Sequence, residues 1–289
     1  MNRFLTILTV PVVLLACGGR DGTQRTVIQN KGSDTLVNVA QAWAEAYGAI
    51  DPSLAVAVSG GGSGTGISSM INGTVDIANS SRAMRPEEIE AARAQGQDPI
   101  EFIVGYDALA IFLHHDNPLS ELRVAQLASI YGERGELTRW AQLGVTVPGC
   151  ESGEIILVSR QNNSGTYAYF QEAVLGEDEF KLGTRDMHGS KDVVDLVENT
   201  PCAIGYSGLA YANEHVNMPC VQFEDGPCVT PSVETAIDRT YPIARPLFMY
   251  TSGQPVGGIR TYMDWILSNE GQCIILDMGY APVRNLTCA

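Results

Sequence analysis

The chain is short of positive charge: 18 lysines and arginines stand against 33 aspartates and glutamates, for a formal charge of −15. That deficit removes any general attraction to nucleic acid or to an anionic membrane surface, so a bound anion must be held by local geometry. Histidine is scarce as well, with four in the chain, and none stands beside Ser63, Ser164 or Ser207. No Gly-x-Ser-x-Gly surrounds those serines, and Gly60 to Gly66 runs into Ile67 without the lysine of a nucleotide-binding loop. A serine hydrolase, a phosphatase and an NTPase are therefore disfavoured. Cys-x-x-Cys is absent and the histidines show no ligand-like spacing, so neither a metal nor a cofactor is expected.

What is present begins with an export signal. Arg3 supplies the positive start and Phe4 to Leu15 an apolar run too short to span a bilayer, while Leu14-Leu15-Ala16-Cys17 reads as a cleavage box. Leu-Leu-Ala-Cys resembles the bacterial lipobox, which implies lipidation of Cys17 and attachment to the membrane through acyl chains alone; an ordinary secretory signal with an incidental cysteine is the alternative. Six cysteines remain: Cys150, Cys202, Cys220, Cys228, Cys273 and Cys288. An even count in an oxidising compartment suggests disulfides. Local pairing favours Cys220 with Cys228 and Cys273 with Cys288, leaving Cys150 for Cys202, one of many connectivities that six cysteines allow.

The 289 residues, 45% of them hydrophobic, exceed what one compact core usually holds and predict two lobes with a cleft between them. Short strands at Thr26 to Gln29, Leu54 to Ser59 and Asp76 to Ala78 alternate with helices at Leu36 to Tyr47, Ile67 to Asn72 and Arg82 to Gln95. This order predicts an α/β fold, each lobe a largely parallel sheet flanked by helices. The apolar stretch Phe102 to Leu113 leads toward a second lobe, with a helix at Val124 to Tyr131, a strand at Ile155 to Ser159 and helices at Tyr167 to Leu175 and Lys191 to Asn199. Pro246 to Tyr250 reads as a strand returning to the first lobe, and Gly257 to Leu267 as an amphipathic helix. The expected division is residues 1–16 as signal, 17–25 as tether, 26–112 with 245–289 as the first lobe, and 113–244 as the second.

Three segments share one design, a strand followed by small or hydroxyl residues and then a helix: Ser33-Asp34-Thr35, Ser63-Gly64-Thr65-Gly66 and Ser164-Gly165-Thr166. Free amides at such a turn, with the positive end of the helix dipole, form an anion site, and hydroxyls add donors without adding charge. Any one of them, taken alone, is also an ordinary capped turn. Arg160 lies four residues before Ser164, where a guanidinium could offer a bidentate fork, or could form a surface ion pair. Asp76 stands alone in an uncharged stretch. It could be a cap, or a carboxylate that accepts a hydrogen bond from an oxyanion only when that anion carries a proton, as hydrogen phosphate does and sulfate does not.

In order along the chain, these residues resemble the phosphate-binding proteins of bacterial phosphate ABC importers. The likeness rests on Gly32 to Leu36, Gly60 to Gly66, Val75 to Ala78 through Ser81-Arg82, Gly105 to Ala110, Ile130-Tyr131-Gly132 with Trp140, Arg160 to Thr166, and Ile204-Gly205-Tyr206. It implies a two-lobed periplasmic-binding-protein fold with a hinge between lobes, holding dehydrated inorganic phosphate and delivering it to permease subunits. It places Thr35, Leu36 through its amide, Ser63 and Asp76 on the first lobe, and Arg160, Ser164, Gly165 and Thr166 on the second. Ser33, Ser80 and Arg82 are implied neighbours. Some members carry an acidic residue two places after the binding arginine, where this chain has Asn162, which implies a less restrained Arg160. The protein is expected to act as a monomer outside the cytoplasm. A binder of another oxyanion, a sensor or scavenger without transport, and a surface lipoprotein with a degenerate cleft are the competing readings.

Overall fold

The computed structural model describes residues 25–288; the expected signal, Cys17 and the tether up to residue 24 lie outside the described residues. The chain opens with β1 (Thr26–Gly32), α1 (Val37–Ile50), β2 (Leu54–Ser59), α2 (Ser63–Ile71), β3 (Ile77–Ser80) and α3 (Pro86–Ala94). Val39, Ala40, Trp43 and Tyr47 recur at helical spacing along α1 and bury one face. β1 runs parallel to both β2 and β3. The helix expected from Arg82 begins instead at Pro86, because proline fixes a helical φ at a position that needs no amide donor. Glu88 then accepts from the Arg85 amide at 2.8 Å and closes the first turn.

The long β4 (Pro99–His114) is followed by β5 (Glu121–Arg123), α4 (Val124–Tyr131), β6 (Ile156–Arg160), α5 (Gly165–Phe170), β7 (Arg185–Met187), α6 (Ser190–Glu198) and β8 (Ala203–Gly208). The chain ends with β9 (Val216–Asn217), β10 (Cys220–Gln222), β11 (Cys228–Val229), α7 (Val233–Ile237), β12 (Ala244–Ser252), α8 (Gly257–Ile266) and α9 (Asn269–Asp277). The main sheet follows the order β2-β1-β3-β12-β4-β8-β6-β7, with β9 beside β4. One hydrogen-bonded path therefore runs through both lobes. β4 and β12 are its antiparallel centre, with a register shift between Leu247 and Phe248, and such an irregularity bends a strand.

Each lobe has its own core. Ile28, Trp43, Leu247, Tyr262 and Ile275 belong to the first, and Leu127, Tyr131, Trp140, Phe170 and Tyr206 to the second. β4 gives Val104 to the first core and Leu109, Ile111 and Leu113 to the second, so the chain crosses between lobes inside this strand. Phe170 stacks on Tyr206 with centroids 3.8 Å apart, and truncating such a fully buried phenylalanine to alanine costs about 3–5 kcal/mol. Disulfides join Cys150 to Cys202, Cys220 to Cys228 and Cys273 to Cys288, the pairing set out above. Among the described residues no helix is long and apolar enough to cross a membrane.

Candidate interlobe anion site

In a parallel sheet, the turns that follow the strands emerge on one edge. β1, β2 and β3 deliver Ser33 to Thr35, Gly60 to Ser63 and Ser81 to that edge, and β6 brings Arg160 to Thr166 against them from the second lobe. Ser33 Oγ donates to Ser81 Oγ at 3.0 Å, and Ser63 Oγ lies 3.3 Å from Ser81 Oγ while accepting from the Ser81 amide at 3.0 Å. Thr35 Oγ1 meets Thr166 Oγ1 at 3.1 Å across the lobes. Ser164 caps α5 by accepting from the Thr166 amide at 3.1 Å. All six hydroxyl residues are buried. Gly165 sits so close that a Cβ there would overlap Ser63 Oγ and Ser81 Oγ.

The lobes also meet through backbone. The Gly64 amide donates to Asn163 O at 2.9 Å, and Asn163 Nδ2 to Gly61 O at 3.0 Å. Gly62, at φ 89°, precedes α2, and a Cβ on it would lie 2.6 Å from Asn163 O. The helix expected from Ile67 thus begins four residues earlier, at Ser63, where small residues let two loops approach.

Two buried arginines flank the hydroxyls. Arg160 donates to Met187 O, His188 O and Ser190 Oγ within its own lobe, and to Asp34 Oδ2 of the first lobe at 3.1 Å. Asp34 in turn accepts from the Gly61 amide at 2.8 Å. The expectation that Asn162 would leave Arg160 less restrained is therefore corrected, because a carboxylate from the opposite lobe supplies the missing partner. Burial pulls the Arg160 guanidinium below its ordinary value and Asp34 opposes that, yet an arginine stays charged at physiological pH.

Arg245 and Asp107 are opposite each other in the β12–β4 ladder. Arg245 Nε and Nη2 donate to Asp107 Oδ2 at 3.2 and 2.8 Å. The same Nη2 reaches Thr35 Oγ1 at 3.3 Å and Thr166 Oγ1 at 3.0 Å, while Nη1 donates to Ser81 O at 3.2 Å. One guanidinium on the crossing strand thus touches both lobes. Burial raises the Asp107 carboxyl above its ordinary value and Arg245 opposes the rise. A groove of about 630 Å³ opens beside the cluster with Arg245 and Pro246 in its wall, Arg85 from the first lobe and Tyr169 from the second.

Four other expected residues lie differently. Asp76 precedes β3, at the end opposite Ser81, and five residues of extended chain separate the two by roughly 16 Å. Its Oδ2 accepts from the Gln29 amide at 2.7 Å, so Asp76 cannot read a proton on an anion held among these hydroxyls. Ser80 turns onto Arg82 O at 2.6 Å, and Arg82 forks onto Glu88 at 2.7 and 2.6 Å. The Leu36 amide donates to Ser33 O at 3.1 Å, and its side chain is buried in the first core.

Ser81, Asp34, Asp107 and Arg245 were absent from the residues expected at the site. The signal for the last two was legible: a lone carboxylate in the apolar run of β4 and a lone cation in that of β12 each need a buried partner. Chemically, the arrangement offers rotatable hydroxyls that both donate and accept, beside two guanidiniums each neutralised by a carboxylate. Among the described residues no histidine hydrogen-bonds to any of these hydroxyls. Groups of these types can donate to an oxyanion.

Comparison with known proteins shows the family to which the chain belongs. Residues 19–270 match the family model of the PBP superfamily domain. The phosphate-binding protein PstS of Pseudomonas aeruginosa is 31% identical over 268 residues, covering 89% of this chain and 83% of its own. The chain belongs to the PBP superfamily and, within it, to the PstS family. Protein SphX of Synechococcus elongatus is 33% identical over 272 residues, 90% of this chain and 78% of its own. A substrate-binding protein of Clostridium perfringens solved with bound phosphate superposes with a TM-score of 0.79 at 27% identity, over 90% of this chain and 100% of its own. An ABC-type phosphate transport receptor from Vibrio cholerae gives 0.69 at 25% identity, over 88% and 99%. In this PstS-family chain every hydroxyl and arginine of the cluster falls within the matched residues.

Proposed function

We propose that this protein is an exported, lipid-anchored receptor that holds inorganic phosphate between its lobes and passes it to the permease subunits of an ABC importer. The observation that carries the reading is the buried cluster of two hydroxyl groups, Ser33–Ser81–Ser63 and Thr35–Thr166 with Ser164, joined through Arg245, which touches both lobes. Hydroxyls that hydrogen-bond to one another can rotate onto an anion instead. A hydrogen bond to a charged group is worth about 1.5–3 kcal/mol. The Gly165 backbone, stripped of a side chain, allows an oxyanion close approach. Hydroxyl lone pairs can also accept from a P–O–H group, a contact that sulfate cannot return.

Because ligand contacts come from both lobes, binding favours the closed arrangement, and an importer that recognises closure would discriminate loaded from empty receptor. The receptor binds and releases its cargo unchanged and works as a monomer without a cofactor. Cys17 supplies the lipid anchor, so Cys17→Ser moves the protein from the membrane fraction to the soluble one.

Titration calorimetry on ligand-stripped protein tests the binding reading. Phosphate should saturate one site and be displaced by arsenate, whereas sulfate should leave it untouched. A protein that takes up no phosphate, or takes sulfate equally well, defeats the proposal.

A further inference from the structure

Away from the interlobe site, β4 ends in a turn that gathers chemistry unrelated to anion binding. Consecutive residues of a strand point to opposite faces, so adjacent histidines ordinarily diverge and their spacing alone announces no ligand set. Here the strand stops at His114, and the chain turns through His115 and Asp116. The turn brings the two imidazoles together with ring centroids 4.2 Å apart. His115 Nε2 lies 3.3 Å and His114 Nδ1 3.9 Å from one oxygen, Asp116 Oδ2. One donor atom from each of the three residues falls within 4.8 Å of the others.

These separations approach those of ligands around a divalent transition metal. Ligands at zinc bond lengths of about 2.0–2.1 Å, arranged tetrahedrally, stand roughly 3.4 Å apart. The His115–Asp116 spacing already meets that value, the His114–Asp116 spacing exceeds it by about half an ångström, and the two imidazole nitrogens, within 4.8 Å of each other, close by rotation of the exposed His115 ring. We propose that His114, His115 and Asp116 form a surface site for a borderline divalent ion such as zinc, with the remaining positions open to water. Two imidazoles and one carboxylate are the ligand types such ions prefer over calcium or magnesium, which take oxygen.

The scaffold is already set. The Asn117 amide donates to His114 O at 2.9 Å, and Asn217 Nδ2 from β9 donates to His115 O at 2.7 Å, which pins the turn from two sides. The Asp116 amide donates to His114 Nδ1 at 3.2 Å. That contact marks Nδ1 as an acceptor, and coordination would exchange the Asp116 amide for the metal. His115 and Asp116 are about half exposed, leaving the site an entry path. Glu214 and His215, just before β9, add a carboxylate and an imidazole to the same end of the molecule. The site lies outside the phosphate-binding cluster, so its test separates cleanly from that reading.

The experiment is calorimetric titration of tag-free, full-length mature protein with zinc chloride, in a phosphate-free and non-chelating buffer near pH 7.5. One equivalent of zinc should bind in the micromolar range, more weakly as the pH falls and the imidazoles protonate. His115→Ala and Asp116→Asn, both at exposed positions, should each weaken zinc binding by roughly tenfold or more. Phosphate affinity, measured separately on the same variants, should be unchanged and certify that they are folded. Absence of zinc binding at about 100 µM, or an affinity untouched by His115→Ala, would reduce the cluster to a simple histidine–aspartate pair.

Discussion

The buried pair Arg245–Asp107 lies where fold and function meet, and a two-step substitution separates its two roles. Both side chains are wholly buried and 2.8 Å apart. Arg245→Met leaves the Asp107 carboxylate without a partner in the interior, which costs about 3–5 kcal/mol. That is a large fraction of the 5–15 kcal/mol by which a typical domain is stable, given as an order of magnitude. Adding Asp107→Leu removes the stranded charge, so the double variant should regain most of the loss, since well-packed apolar side chains replace buried ion pairs at little cost. Phosphate binding should behave differently. Both variants lack the guanidinium that touches Thr35 and Thr166, and losing a charged hydrogen bond of about 1.5–3 kcal/mol weakens binding by roughly 10- to 150-fold. Stability is read by urea unfolding of ligand-stripped protein, because bound phosphate would itself stabilise the native state. Equal instability of the single and double variants, or a double variant that binds phosphate within twofold of the parent, would refute the reasoning.

Further outcomes follow from the same geometry. Asp76→Asn should leave phosphate affinity and the preference over sulfate unchanged in competition titrations, since its carboxylate faces the Gln29 amide at the far end of β3; relaxed selectivity would return it to the site. Gly165→Ala should weaken phosphate binding by more than about tenfold with little effect on unfolding, because its Cβ opposes closure onto Ser63 and Ser81 and leaves either core intact. The Glu88 carboxyl is held below its ordinary 4.5, with burial opposing and hydrogen bonds from Arg82 and the Arg85 amide prevailing. Its contribution to stability is therefore present above 4.5 and lost as the pH falls through the lower folded value. Glu88→Gln should flatten that acid limb in a pH series of unfolding midpoints, and an unchanged limb would assign acid lability elsewhere.

How much could be read in advance differed by residue. The strand–turn–helix repeats carried Ser33, Thr35, Ser63, Ser164, Gly165 and Thr166, because amphipathic periodicity and turn chemistry are local properties. All six meet in the cleft. Asp76 was misplaced by a local argument of the same kind: isolation in an uncharged stretch signals that a carboxylate has a partner, without saying at which end of the strand that partner waits. The parallel sheet decides it, since turns after strands share one edge and Asp76 precedes its strand. Applied to Asp107 and Arg245, the isolation argument would have found a pair that strand register places face to face.

Composition and pattern alone determined an acidic chain with an α/β rhythm, two cores and hydroxyl-rich turns, since each depends on neighbours a few residues apart. Tertiary structure alone decided which buried charges are paired and that Asp34 reaches across to restrain Arg160. Those contacts join residues up to 138 positions apart. Only the packing of two lobes around a shared pair of strands brings them within a hydrogen bond.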